Sequence, residues 1–238
     1  MKCLPPARPK SLPLIVLLVL PIAAAERSRA DEFDPSAATT PLLSSQTADG
    51  EIDGWQSYHQ DGAKTGDVWA LADDVLVCKG APLGYLYTEK PYTNFVLQLE
   101  WRWPGPEKTG NGGVLIRTTG PNKIWPKSLE AQINRGQAGD FWGLDGYTLR
   151  GPAERMKTLD TEEFGLLTNL KRTAGAEKSP GEWNSYEIKA DGEQVTLTIN
   201  GQVVNRATGC AAVPGPIVLT AEGDEIHFRN VRIREIAE

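Results

Sequence analysis

Three runs between Phe95 and Ile133 constrain the fold more than any other part of the chain. Phe95 to Trp103 (FVLQLEWRW), Gly113 to Arg117 (GVLIR) and Lys127 to Ile133 (KSLEAQI) read as strands, and side chains along a strand project to opposite faces in turn. In the first run Phe95, Leu97, Leu99, Trp101 and Trp103 share a face opposite Gln98, Glu100 and Arg102. The second sets Val114 and Ile116 against Leu115 and Arg117, and the third sets Leu129, Ala131 and Ile133 against Ser128, Glu130 and Gln132. One face is core. If the three strands share a sheet, Glu100, Arg117, Glu130 and Gln132 converge on its polar face, which becomes the candidate working surface. An ordinary solvated face of an antiparallel sheet is the alternative.

The remaining pattern is also that of strands. Val68 to Leu71, Val75 to Cys78 and Tyr85 to Thr88 are short runs between turn residues. Trp183 to Ile188 leads to Asp191-Gly192, and Val195, Leu197 and Ile199 alternate with Thr196, Thr198 and Asn200 before Asn200-Gly201. Asp-Gly and Asn-Gly favour tight turns that match strand twist, so a meander of hairpins is expected here. Ile217 to Ala221 and Ile226 to Ile233 complete the sheet, and the apolar parity changes between Phe228 and Val231, predicting a bulge near Asn230. Gly136 to Lys178 has no clean period and reads as a long loop region forming the wall of a site. No helix of more than two turns is predicted. Many short strands with glycine-rich turns argue for an all-β, two-sheet antiparallel jelly-roll sandwich. Trp55, Trp69, Trp101 and Trp183 are assigned to its core, whereas Trp125, Trp142 and Tyr147 fall on predicted loops beside the working face.

The chain opens with Lys2, Arg8 and Lys10, followed by an apolar run from Leu12 to Ala25 ending in Ala23-Ala24-Ala25. This is the pattern of a secretory signal peptide spanning residues 1–25, too short for a comfortable membrane span, with an uncleaved anchor as the alternative. A small, polar, acidic stretch follows, and residues 26–50 read as a flexible linker before a single domain at 51–236. Loss of the leader removes three cations from a chain whose formal net charge is already −6. An acidic exported protein, periplasmic or secreted, is poorly suited to nucleic acid or to an anionic membrane surface. Cys78 and Cys210 remain after cleavage. In an oxidising compartment they either pair or stay as two buried thiols.

Several strings taken together resemble one family: Phe95 to Arg102, Asn111 to Arg117 (NGGVLIR), Trp125 to Ile133 (WPKSLEAQI), Gly139-Asp140-Phe141, Gly181 to Ile188 (GEWNSYEI), Asn200-Gly201 and Glu222 to Ile233 (EGDEIHFRNVRI). They are similar to the 3-keto-disaccharide hydrolases, and the resemblance covers roughly residues 51–236. It implies a concanavalin A-like jelly roll and cleavage of sugars already oxidised at carbon 3. The ketone acidifies the carbon 2 proton, a carboxylate removes it, and the enolate expels the glycosidic oxygen from carbon 1; water then adds to the double bond. Such chemistry needs a general base, an oxyanion stabiliser and a proton source.

The resemblance makes Glu130 the candidate base, since it lies in the string most like the family's motif. Arg117, permanently charged and rich in donors, is the candidate for holding the enolate oxygen. Glu100 is its acid, its orienter or its ion-pair partner. Gln132 and Asp140 are candidates for substrate contacts, with Trp125, Trp142 and Tyr147 offering flat faces for a sugar. No cofactor is evident and no metal ligand is assigned; a divalent cation on clustered carboxylates is the alternative oxyanion stabiliser. The chain departs from the family at Thr220, where glutamine is frequent, and after Gly139-Asp140-Phe141. A lectin-like carbohydrate-binding module on the same sandwich is the competing reading, and a two-carboxylate glycosidase acting on unoxidised sugars is a third.

Overall fold

The computed structural model describes residues 39–105 and 110–237. In chain order its strands are β1 (Thr40–Pro41), β2 (Trp55–His59), β3 (Trp69–Ala72), β4 (Val75–Cys78), β5 (Gly84–Thr88), β6 (Phe95–Arg102), β7 (Gly113–Thr119) and β8 (Lys127–Gln132). They continue with β9 (Phe141–Leu144), β10 (Met156–Thr161), β11 (Gly165–Leu170), β12 (Asn184–Asp191), β13 (Gln194–Ile199), β14 (Gln202–Ala207), β15 (Val218–Ala221) and β16 (Ile226–Glu235). Two sheets result. The first runs β14-β13-β12-β6-β16-β4-β3, with β1 also paired to β16; the second runs β10-β11-β9-β8-β7-β15-β5-β2. Every ladder between these strands is antiparallel. The fold is the expected all-β jelly-roll sandwich.

The core lies between the sheets and follows the parity read from the sequence. Phe95, Leu97, Leu99 and Trp101 of β6 and Tyr186 and Ile188 of β12 meet Val114 and Ile116 of β7, Leu129 and Ala131 of β8, and Leu219 of β15 in one buried cluster. Asn200 and Gly201 both take positive φ in the β13–β14 turn, the conformation that makes Asn-Gly a hairpin signal. Asn230 has φ 53° and marks a register shift between Arg229 and Arg232, so the bulge falls where parity predicted it.

Four expectations change. The strand at Phe95 does not share a sheet with those at Gly113 and Lys127: β6 lies in the first sheet, β7 and β8 in the second. The segment from 39 to 50 is part of the sandwich rather than linker, because Thr40 pairs with Ile233 and the Gln46 side chain bonds the backbone of Gly50, Trp69 and Leu71. The predicted leader lies outside the described residues. Within Gly136 to Lys178 the chain builds β9, β10 and β11, which extend the second sheet beyond β8. Trp183 is not core; it lies half-buried under the guanidinium groups of Arg102 and Arg229, 4.6 and 4.1 Å from its ring centre. Cys78 and Cys210 are both buried free thiols.

Candidate active site

The two sheets differ on their outer faces. Along β6 the outward residues Gln98, Glu100 and Arg102 are partly exposed, as on any solvated sheet. Along β8 the outward residues Ser128, Glu130 and Gln132 are buried. Polar side chains that are buried, yet turned away from the core, indicate a built site rather than a wetted surface.

Register locates this site. Across the middle of the second sheet, Gln56, Tyr87, Val218, Leu115, Glu130, Trp142 and Asn169 stand in successive cross-strand pairs. Two residues along the strands, Tyr58 faces Tyr85, Tyr85 faces Thr220, and Gly113 faces Gln132. The Thr220 hydroxyl accepts a hydrogen bond from the Gly113 amide at 2.7 Å, closing the gap between these pairs. Parity then places Glu222 and Asn111 at the end of the same face, and the Asn111 Nδ2 donates to Glu222 Oε2 at 2.6 Å. Two carboxyls share one face.

Glu130 is 6 % exposed, and its carboxyl lies over Gly113, where any Cβ would collide with it. That is why residue 113 has no side chain. Among the described residues none donates a hydrogen bond to this carboxyl. Burial, and then the charge of Glu222, hold its pKa well above the usual carboxylate range. Burial also pushes Glu222 up, to about 7, against an opposing pull from the Thr220 hydroxyl. Beside them Gln132 accepts a 2.7 Å hydrogen bond from the Trp142 indole on its Oε1, which leaves the amide NH2 as the group able to donate. Among the described residues no three His, Cys, Asp or Glu side chains cluster as a metal site would require.

A model of the 3-keto-alpha-glucoside-1,2-lyase-like domain matches residues 44–234. The chain belongs to this family. No curated protein sequence matches it. Among solved structures it resembles two provisionally assigned glycosyl hydrolases from Parabacteroides distasonis ATCC 8503. One is 17 % identical with a TM-score of 0.54, covering 77 % of this chain and 89 % of the other. The second is 21 % identical with a TM-score of 0.53, covering 76 % and 99 %. The carbohydrate-binding module CBM66 from Bacillus subtilis is 11 % identical with a TM-score of 0.54, covering 82 % and 100 %. At these identities the likeness is one of fold.

Within this lyase-like domain, the residues singled out from sequence separate. Glu130, Gln132 and Trp142 come together on the outer face of the second sheet. Glu100 does not join them: it sits on the other sheet, its Oε2 accepting from Arg229 Nε and Asn230 Nδ2, each at 2.7 Å. Arg117 is fully buried with φ 54°, at an irregularity of the β7–β8 ladder between Ile116 and Thr119. Its guanidinium donates to the backbone oxygens of Thr93, Ala211 and Gly192, over 2.7 to 3.3 Å, so it clamps three loops and none of its hydrogen bonds reaches Glu130. Tyr147 donates to the same Ala211 oxygen at 2.7 Å and packs in the core rather than bordering the site. Asp140 is held by Arg172, through the backbone amide at 2.9 Å and Nη1 at 3.2 Å. Trp125 meets Phe164 edge to face, with ring centres 5.6 Å apart.

Sequence reasoning missed Glu222, Thr220, Asn111 and Gly113 as members of the site. Alternation against Leu219 and Ala221 was enough to place Thr220 and Glu222 on one face, but not to say which strand lay beside them.

Proposed function

We propose that this exported domain cleaves 3-keto glycosides by elimination and hydration, with Glu130 at the reacting centre. The observation that carries the reading is a buried carboxyl with no hydrogen-bond donor among the described residues. It is seated over a glycine, beside an indole-braced glutamine, in a chain of the 3-keto-glucoside lyase-like family.

The chemistry follows from the sugar. A carboxylate takes the proton from carbon 2, and the electron pair moves into an enolate whose charge rests on the carbon 3 oxygen. As the carbonyl reforms, the bond from carbon 1 to the glycosidic oxygen breaks and that oxygen takes up a proton, leaving a double bond between carbons 1 and 2. Water adds its oxygen to carbon 1 and a proton returns to carbon 2, so the sum is hydrolysis. In a water-poor site the Gln132 NH2 is the donor positioned for a sugar oxygen, and the Trp142 ring offers an apolar face to the C–H side of the ring. The ketone itself must come from a separate oxidation.

Incubation of the purified domain with methyl 3-keto-glucoside, and with the unoxidised glucoside, tests the reading. Methanol release from the keto sugar alone, lost in Glu130→Gln, is the expected result. Saturable binding without turnover would make the domain a lectin-like module, and equal cleavage of both sugars would make it a two-carboxylate glycosidase.

A further inference from the structure

The two carboxyls on this face have opposite surroundings. Glu130 receives no hydrogen bond from the described residues, whereas Glu222 accepts one from Asn111 at 2.6 Å and stands beside the Thr220 hydroxyl. A donor aimed at a carboxylate favours its charged form, while desolvation without donors favours the neutral acid. Like charges confined in one buried site do not both ionise, so near neutrality the pair holds one proton in common. Its resting place is the carboxyl without donors.

Resting on the elimination reading above, we propose that Glu222 is the ionised base that takes the carbon 2 proton and that Glu130 is the protonated acid that serves the leaving oxygen. This reverses the role that sequence suggests for Glu130 and gives Glu222 one that sequence did not. The proton balance closes over a full turnover. In elimination Glu222 gains the proton from carbon 2, and Glu130 loses its own to the glycosidic oxygen as the bond to carbon 1 breaks. In hydration Glu130, now ionised, takes a proton from the water that bonds to carbon 1, and Glu222 returns its proton to carbon 2. Both carboxyls end as they began. Environments that push two acids apart in this way are the usual physical basis for splitting acid and base work between them.

Two further features fit this division. Glu222 Oε1 and Asn111 Oδ1 are both buried without a hydrogen-bond partner, so the Glu222 end of the face has unsatisfied acceptors that only a donor brought from outside, or a captured proton, would satisfy. Glu130 in turn lies against Gly113, with Leu115 and Trp142 as its cross-strand neighbours, and neither neighbour gives its carboxyl a hydrogen bond that would favour the charged form.

The experiment compares Glu130→Gln and Glu222→Gln on methyl and 4-nitrophenyl 3-keto-glucosides in D2O, following deuterium entry at carbon 2 by NMR together with aglycone release. Glu222→Gln should lose exchange and cleavage of both substrates by about 10²–10⁴-fold. Glu130→Gln should keep exchange and release nitrophenol within about tenfold of the parent, because that leaving group needs no acid, while methanol release falls by about 10²–10⁴-fold. A Glu222→Ala variant whose exchange is restored by added formate would show a missing base rather than a damaged fold. Loss of exchange in Glu130→Gln with exchange kept in Glu222→Gln would reverse the assignment. Equal losses on both substrates in both variants, without rescue, would overturn it. A parent domain that neither exchanges nor cleaves keto sugars would instead overturn the functional reading beneath it.

Discussion

Glu130 and Arg117 stand on neighbouring strands of one sheet, both buried and both ionisable, and their surroundings are opposite. The Arg117 guanidinium makes four hydrogen bonds to three backbone oxygens from three loops; the Glu130 carboxyl receives no donor among the described residues and is confined by a glycine. A buried polar group with its hydrogen bonds filled has its energy committed to holding the fold. One left unfilled is strained toward proton exchange or toward a ligand. Burial alone therefore does not tell these two residues apart, whereas their hydrogen-bond partners and the face they stand on do.

The contrast fails or sharpens on measurement. The largest effect is expected for Glu130→Gln, whose release of methanol from methyl 3-keto-glucoside should fall by about 10²–10⁴-fold with the melting temperature unchanged or higher; a marked drop in melting temperature would place Glu130 with Arg117 as a structural residue. Next comes Arg117→Met, which strips the donors from buried carbonyls and should cost roughly 3 kcal/mol or more in urea denaturation. Unaltered stability there would break the comparison from the other side. Gly113→Ala drives a methyl group into the Glu130 carboxyl, and a displacement of about 1 Å at a reacting group costs on the order of 10²-fold in kcat.

A subtler test is pH. Unfolded, Glu130 and Glu222 ionise near 4.5, the ordinary value for glutamate; folded, burial makes both hold protons to higher pH, Glu222 to about 7. Above pH 4.5 these two sites thus bind fewer protons in the unfolded chain than in the native one, so the pair's contribution to stability is fully present on the acid side of that value and is lost as pH rises through about 7. The difference in thermal stability between the parent and Glu130→Gln should show this decline, and a difference that rises over the same window would contradict the buried pair. The smallest change is expected for Trp142→Phe, which removes the indole donor from Gln132. Loss of one such bond, about 1 kcal/mol, should lower kcat/KM roughly fivefold, since phenylalanine keeps a ring face for the sugar, and an unchanged kcat/KM would mean that the brace on Gln132 does not serve catalysis.

The site was only half legible before the fold was seen. Glu130 and Gln132 share a face by the alternation of one strand, whereas Trp142 reads from sequence as a loop aromatic beside that face and only the structure sets it on β9, opposite Glu130. Glu100 is grouped with Glu130 from sequence, and Glu222 is not, for a single reason: alternation does not say which strands lie side by side. The Arg117 error had a local origin instead, since positive φ at a ladder irregularity diverts a side chain that simple alternation would leave on the polar face.

What the sequence determined by itself is local. Which residues of a strand point inward, where Asn-Gly turns the chain, and where β16 bulges all follow from the pleat and from glycine's freedom, and need only neighbouring residues. What the tertiary structure alone decided is company. Gly113 meets Thr220 across a separation of 107 residues, and that pairing brings Glu222 to the face of Glu130 while β6 carries Glu100 to the other sheet. Alternation repeats every two residues wherever a strand is placed, so it carries no information about partners. Strand order is set by how the whole chain closes around its core.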